Sequence, residues 1–151
     1  MKGTCLCEAI AFEINETGTP IEFCHCSRCK KAYGSAFAAT FYVRTSQLRW
    51  IRGEALIKVY EAPLHKEPPP YRHVFCGRCG SPLPIMMAEF DVVEIPAGTL
   101  DDDPSSRPLR HVFVSKKAPW FQITDSLPQY QDHVRRSEHL VAHLLRSGAR
   151  S

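Results

Sequence analysis

The chain has 151 residues, enough for a single domain with a buried core. Its net charge of +3 is small, and its pI of about 8.5 falls short of the clustered basic surface typical of nucleic-acid-binding domains. No run reaches the roughly 18 apolar residues of a membrane span, and no secretory signal is visible at the start. These features predict a cytoplasmic protein without nucleic-acid or membrane partners.

Short apolar segments, separated by turn residues, recur along the chain and predict strands. They lie at 9–14, 36–43, 55–60, 71–75, 92–95 and 111–114. The proline-rich residues 63–70 and the acidic residues 101–104 predict loops between strands. The class predicted from these segments is mainly β, or β-rich α+β.

One helix is predicted, near the C-terminus. Apolar residues recur there at helical spacing, and Ser137 and Gly148 would cap its two ends. The apolar residues are Leu140, Val141, Leu144 and Leu145. The segment 132–146 carries both charge signs, so it is expected either to pack on the body of the protein or to form a homodimer contact.

The seven cysteines form three clusters, unlike the even, spaced set of a disulfide framework. They are Cys5, Cys7, Cys24, Cys26, Cys29, Cys76 and Cys79. In a cytoplasmic chain such clusters are typical of metal binding or catalysis.

Cys76 and Cys79 form a C-x2-C pair, whose tight turn points both sulfurs at one ion. A structural zinc has four ligands, so a second pair is needed. Cys5 and Cys7 are the natural candidates, because alternate residues of a strand point to the same side. The spacing thus predicts a closed four-thiolate site, with small core residues as the alternative interpretation of Cys5 and Cys7.

Cys24, Cys26 and Cys29 offer three thiolates within six residues. Three protein ligands leave one coordination position open, as in catalytic zinc sites. A distant ligand such as His73 or His111 could instead complete a second structural site. A redox role is less favoured, since no βαβ pattern surrounds these cysteines.

Two features flank the second cluster. His25 is expected to point away from the metal, because it alternates with Cys24 and Cys26 along an extended segment. Ligation or acid–base chemistry are the alternatives for its ring. Ser35, after Gly34, is expected in a turn that carries donors towards the open position, although spacing alone favours a solvated loop.

Seven motifs between Gly3 and Tyr130 together resemble those of the glutathione-dependent formaldehyde-activating enzyme family, which includes centromere protein V. They are GTCLC at 3–7, CHCSRC at 24–29, GS at 34–35, FCGRCGSPL at 75–83, PAGTLDD at 96–102, SKKAPW at 115–120 and DSLPQY at 125–130. Many members of that family have glycine directly after the second cysteine. Glu8 stands there in this chain, which alters the local turn and adds a negative charge.

The resemblance implies a zinc-stabilised β-tent of small antiparallel sheets, with residues 1–130 as the zinc-binding domain and 131–151 as its C-terminal helical extension. It implies carbon–sulfur lyase activity that interconverts formaldehyde and glutathione with S-hydroxymethylglutathione. It also implies two zinc ions, a structural one at Cys5, Cys7, Cys76 and Cys79, and a labile one at the catalytic Cys24, Cys26 and Cys29.

A substrate such as glutathione carries two carboxylates, so basic groups are expected beside the second cluster. The candidate contacts are Arg28, Lys30, Lys31, Ser35 and Lys116, with Trp120 as an apolar wall. The alternative function is a zinc-stabilised module that binds a thiol or another ligand without turnover.

Overall fold

The computed structural model describes residues 1–62, 71–134 and 140–147, which contain ten strands and two helices. The strands are β1 (Lys2–Thr4), β2 (Ala11–Ile14), β3 (Ile21–Cys24), β4 (Ala38–Arg44), β5 (Leu48–Arg52), β6 (Ile57–Glu61), β7 (Arg72–Cys76), β8 (Ile85–Met87), β9 (Val92–Pro96) and β10 (Pro108–Val112). The helices are α1 (Ser27–Tyr33) and α2 (Leu140–Ser147). The predicted mainly β class with a short C-terminal helix is therefore confirmed.

Three small sheets organise the strands. Their orders are β1-β2-β5, β10-β3-β4-β9-β8 and β6-β7. Neighbours pair antiparallel except β10 and β3, which run parallel. The exception arises because the chain reaches β10 only after a long excursion through the other sheets, and not through a hairpin.

The central strand β4 separates two packed faces of the large sheet. On one face, Phe41 and Val43 lie in a buried core with Phe12 and Ile95. On the other face, α2 packs its apolar residues against Tyr42. These α2 residues are Leu140, Val141 and Leu144. β-branched and aromatic side chains suit such a strand, because both of its faces are buried.

Most predicted strands are present with small shifts. Segments 9–14, 36–43, 55–60, 71–75 and 92–95 correspond to β2, β4, β6, β7 and β9. The strand predicted at 111–114 ends earlier, as β10. It stops at Val112 because Phe113 has a φ of 57° and a 3₁₀ turn begins at Val114. The predicted loop at 63–70 and the caps Ser137 and Gly148 lie outside the described residues.

Helix α1 was missed by the sequence analysis, which predicted only the C-terminal helix. It has seven residues, and its N-cap is Cys26, whose Sγ accepts a hydrogen bond from the Cys29 N–H at 3.3 Å. A cysteine is not among the usual capping residues, so the start of this helix carries no ordinary signal. Neither helix in the described ranges has the length and apolar character that a membrane span requires.

Candidate metal centres

The first centre joins the N-terminal turn to the end of β7. Cys5 follows β1 and Cys7 lies in the turn after it, while Cys76 ends β7 and Cys79 sits in the next turn. Ser81 connects the two segments, since its hydroxyl accepts from the Leu6 N–H at 2.9 Å and its carbonyl accepts from the Cys76 N–H at 2.9 Å. The four Sγ atoms lie within 4.8 Å of one another.

The spacing of these sulfurs suits a tetrahedral zinc ion. Zn–S bonds of about 2.3 Å place tetrahedral sulfurs about 3.8 Å apart. Cys5 and Cys7 Sγ are 3.6 Å apart, and Cys7 and Cys76 Sγ are 4.0 Å apart. Backbone N–H groups of Ile10 and Arg78 also point at Sγ of Cys5 and Cys76, at 3.3 and 3.4 Å. Such donors stabilise thiolates, so this donor set fits zinc.

Glu8, which stands where many family members have glycine, lies in the turn after Cys7. The Glu8 N–H donates to the Cys5 carbonyl at 2.8 Å, and Glu8 itself has a φ of 58°. This is the left-handed region that glycine adopts without a steric penalty. A side chain at this φ strains the turn. Because Glu8 is exposed, its side chain does not enter the metal centre.

The second centre lies where β3 meets α1. Cys24 ends β3, Cys26 caps α1, and Cys29 lies in the first turn of α1. Their Sγ atoms are within 4.8 Å of one another. In the part of the chain that the structure describes, no histidine or carboxylate joins this group, and so neither His73 nor His111 completes it.

The three thiols of this centre share protons unequally. Hydrogen bonds from the Cys24 and Cys29 thiols, together with backbone N–H groups at the start of α1, lower the pKa of Cys26. Hydrogen bonds with the Cys24 and Cys26 thiols raise the pKa of Cys29, and the hydrogen bond with Cys26 raises the pKa of Cys24. A single thiolate is therefore favoured in the metal-free cluster, and a divalent cation would favour all three.

His25 does not join the three sulfurs, in agreement with the expectation from its position between Cys24 and Cys26. Its ring is fully buried, and its Nε2 lies 2.8 Å from Nδ1 of His111. The His111 Nε2 lies 3.1 Å from the Asp125 carboxylate. Sequence reasoning considered His111 only as a metal ligand and did not single out Asp125.

Four of the six predicted substrate contacts line one groove beside α1. This open groove has a volume of about 360 Å³. The four residues are Lys30, Lys31, Ser35 and Trp120. Lys116 is not among its lining residues: its side chain is exposed, while its carbonyl accepts a hydrogen bond from Lys30 Nζ.

Arg28 points to a different cavity. Its guanidinium lies over the ring of Tyr71, 5.4 Å from the ring centroid, and both residues line a cavity of about 390 Å³ that Lys31 also borders. The predicted contacts therefore divide between two sides of α1, with Lys31 at the boundary.

Two residues near the second centre were missed in the sequence. Tyr71 hydrogen-bonds Cys29, and burial is the main cause of its raised pKa. Burial also raises the pKa of Glu94 to about 7, against the opposing effect of its hydrogen bond with Thr40. A lone carboxylate inside the apolar strand 92–96 was the available signal for Glu94.

The family model for glutathione-dependent formaldehyde-activating enzymes matches residues 1–116. The chain belongs to this family. The predicted resemblance to this family is thus confirmed. Membership places the chain among proteins of glutathione-dependent formaldehyde activation or related thiol–zinc chemistry, and its two cysteine clusters could hold zinc.

A solved structure supports the fold of this formaldehyde-activating enzyme family member. It is the crystal structure of a Rhodobacter sphaeroides protein, a structural genomics target. The two sequences are 27% identical, the match covers 72% of this chain and 98% of that chain, and the TM-score is 0.51. No curated protein matches the chain significantly.

Proposed function

We propose that this protein is a carbon–sulfur lyase that interconverts a thiol and formaldehyde with their S-hydroxymethyl adduct, glutathione being the thiol. In the forward direction the thiol sulfur forms a bond to the formaldehyde carbon. The carbonyl π electrons pass to oxygen, which takes up a proton equivalent to the one the thiol releases. In reverse, the carbon–sulfur bond breaks and the proton returns to sulfur.

The observation that carries this proposal is the incomplete donor set of the second centre. Three sulfurs converge within 4.8 Å, and no further histidine, cysteine or carboxylate joins them among the described residues. A closed structural site would need four donors. We therefore assign Cys24, Cys26 and Cys29 the catalytic role, and the four-cysteine centre a structural one.

The protein's own residues hold and orient the reactants. Cys24, Cys26 and Cys29 would hold the ion, and with three protein ligands in place of four it would exchange more readily than the zinc of the four-cysteine centre. A bound zinc ion supplies a positive charge that keeps a substrate thiol ionised at neutral pH. Helix α1 then contributes Lys30 and Lys31 directly after Cys29, and the carboxylates of glutathione, several bonds away from its sulfur, are the proposed partners of these lysines.

The groove beside α1 is the proposed binding site for the body of glutathione. The ammonium groups of Lys30 and Lys31 provide charge for the two carboxylates, and Ser35 lies in the turn that ends α1. Trp120 is 72% exposed and borders the same groove, where it would cover the aliphatic part of the ligand. Arg28 and Lys116 stay as proposed peripheral contacts.

The test follows exchange between formaldehyde, glutathione and S-hydroxymethylglutathione by NMR. We expect the zinc-loaded protein to accelerate exchange in proportion to its concentration. Cys26→Ser should abolish the acceleration and remove one zinc ion, while the other ion and the fold remain. An unaccelerated exchange with fully zinc-loaded protein would refute the lyase. Glutathione binding without acceleration would identify the non-catalytic thiol-binding module.

A pair of matched lysine variants tests whether the groove binds glutathione. Lys30→Gln with Lys31→Gln should raise the KM for glutathione about 100-fold, since each lost charge-assisted contact is worth about 1.5 kcal/mol, a factor of about ten. Lys2→Gln removes an exposed lysine from β1, outside the groove lining, and should leave KM unchanged. Equal effects of both variants would move the binding site elsewhere.

Three broader proposals accompany the lyase. Packing of Leu140 and Val141 on Tyr42 supports one domain in which residues 131–151 extend residues 1–130. A cytoplasmic location is proposed because the cysteine clusters must stay reduced to hold zinc. The homodimer stays a prediction, which sedimentation of the zinc-loaded protein would check.

A further inference from the structure

A chain of three polar side chains runs from the second centre to the surface. His25 Nε2 lies 2.8 Å from His111 Nδ1, and His111 Nε2 lies 3.1 Å from the Asp125 carboxylate. His25 and His111 are 0% and 1% exposed, whereas the Asp125 side chain is 44% exposed. The His25–His111 pair joins parts of the polypeptide that are 86 residues apart in sequence.

The Asp125 carboxylate determines which group donates in each of these hydrogen bonds. An ionised carboxylate only accepts hydrogen bonds, so His111 must donate from Nε2 to Asp125. With both rings neutral, His111 Nδ1 is then an acceptor, and His25 must donate from Nε2. Asp125 therefore fixes the tautomer and the orientation of each ring in turn.

Backbone contacts hold both ends of the chain. The His25 N–H donates to the Val112 carbonyl at 2.9 Å, next to the parallel pair of β3 and β10. The His111 N–H donates to the Pro128 carbonyl at 2.9 Å, and Asp125 accepts from the Leu127 N–H at 2.9 Å. The segment that carries Asp125 is thus tied to β10, which is tied to the residue between Cys24 and Cys26.

Aromatic rings surround the two histidines but do not fix their orientation. Phe37 and Phe121 lie 5.4 and 5.9 Å from the His25 ring, and Phe23 lies 5.1 Å from His111, between centroids. An apolar side chain could pack in either place. What the polar chain adds is a defined ring direction, because hydrogen bonds are directional and packing is not.

We propose that His111 and Asp125 are positioning residues for the three-cysteine centre. They hold the His25 ring, and thereby the backbone on either side of it, so that the sulfurs of Cys24 and Cys26 converge with that of Cys29. The inference rests on the proposed function only in taking the three cysteines as the reactive centre. Neither residue contacts the ion or the substrate in this assignment.

The test uses Asp125→Ala, with Asp103→Ala as a closely matched control. Asp103 accepts a hydrogen bond from the N–H two residues ahead, at 2.8 Å, as Asp125 does, but its other partner is the exposed Arg107. Zinc affinity is measured at each centre by chelator competition. We expect Asp125→Ala to weaken zinc at the three-cysteine centre about 10- to 100-fold, as loss of an outer contact does in metal sites, and to leave the four-cysteine centre unchanged.

A second readout does not depend on zinc at the three-cysteine centre or on activity. Alkylation of each cysteine is followed by mass spectrometry in protein whose three-cysteine centre has been emptied by a mild chelator while the four-cysteine centre keeps its zinc. Asp125→Ala, and His111→Phe, which keeps a ring in place, should speed alkylation at Cys24, Cys26 and Cys29 at least several-fold over the control. Equal rates in variant and control, or equal loosening of both centres, would overturn the positioning role. A wild-type chain that never binds a second zinc would instead refute the proposed function, and the alkylation rates would still decide the positioning role.

Discussion

Glu8 occupies a backbone conformation that its side chain disfavours. For a residue with a Cβ, a left-handed φ such as its 58° costs about 1–2 kcal/mol. Glycine avoids that cost. Because glycine also gives the unfolded chain more conformational freedom, it lowers the free energy of unfolding by about 0.5–1 kcal/mol. We therefore expect Glu8→Gly to stabilise the zinc-loaded protein by about 0.5–1 kcal/mol, measured by urea denaturation.

Glu54 provides the matched control for Glu8. It is also exposed, and it is absent from the residues with positive φ in the described chain. Glu54→Gly should destabilise the protein, because only the unfolded-state term remains. If both substitutions destabilise equally, the turn after Cys7 is not strained.

Glu94 makes stability depend on pH. Burial raises its pKa from 4.5 to about 7, so the folded protein holds a proton that the unfolded chain has lost between these values. Stability of the wild type therefore falls as pH rises through this window, by a total on the order of 2–3 kcal/mol. Glu94→Gln should be more stable than wild type at pH 8 by that order, and nearly equal to it at pH 4.5.

The control for Glu94 is Glu54→Gln, whose carboxylate is exposed. Denaturation curves at several pH values between 4.5 and 8 give the comparison. A constant difference between Glu94→Gln and wild type across this range would contradict the assigned burial of the charge.

At the scale of elements, the parallel pair of β3 and β10 contains a buried ion pair. Arg110 Nε lies 2.7 Å from the Glu22 carboxylate, with side chains 6% and 10% exposed, and the two residues face each other in the strand register. Removing one partner of a buried pair leaves an uncompensated charge and costs about 3–5 kcal/mol. We expect this loss for Arg110→Met, measured by chemical denaturation.

An exposed ion pair gives the comparison. Arg49 pairs with Glu13 at 2.7 Å between β5 and β2, with side chains 63% and 23% exposed. Arg49→Met should cost less than about 1 kcal/mol. Since β10 also carries His111, Arg110→Met should in addition weaken zinc at the three-cysteine centre, whereas Arg49→Met should not. Equal costs for both variants would show that burial does not decide the strength of these pairs.

At the scale of the molecule, the four-cysteine centre ties β1 to the end of β7. Structural zinc contributes about 10–16 kcal/mol of apparent binding energy, comparable to the whole stability of a small domain. Cys76→Ser should therefore abolish cooperative unfolding, followed by circular dichroism, and lower the zinc content. Cys26→Ser, the same substitution in the other centre, should keep a cooperative transition. A fully folded Cys76→Ser protein would refute the structural role.

The sequence by itself determined the β class, the two donor sets and the family. Alternating apolar residues specify strands locally, and a C-x2-C spacing specifies a ligand pair within one turn. The pairing of Cys5 and Cys7 with Cys76 and Cys79 followed from the four ligands that structural zinc requires. Such features can be predicted from the sequence because their physical cause lies within a few residues.

Only the tertiary structure decided how distant groups converge. Helix α1 is capped by a cysteine, and the parallel pairing of β10 brings His111 to His25. The strained turn at Glu8 and the half-buried carboxyl of Glu94 also depend on the path of the whole chain. The local sequence around a polar strand residue does not show whether that residue faces water or a buried partner. Its burial and hydrogen-bond geometry are determined by segments far away in sequence.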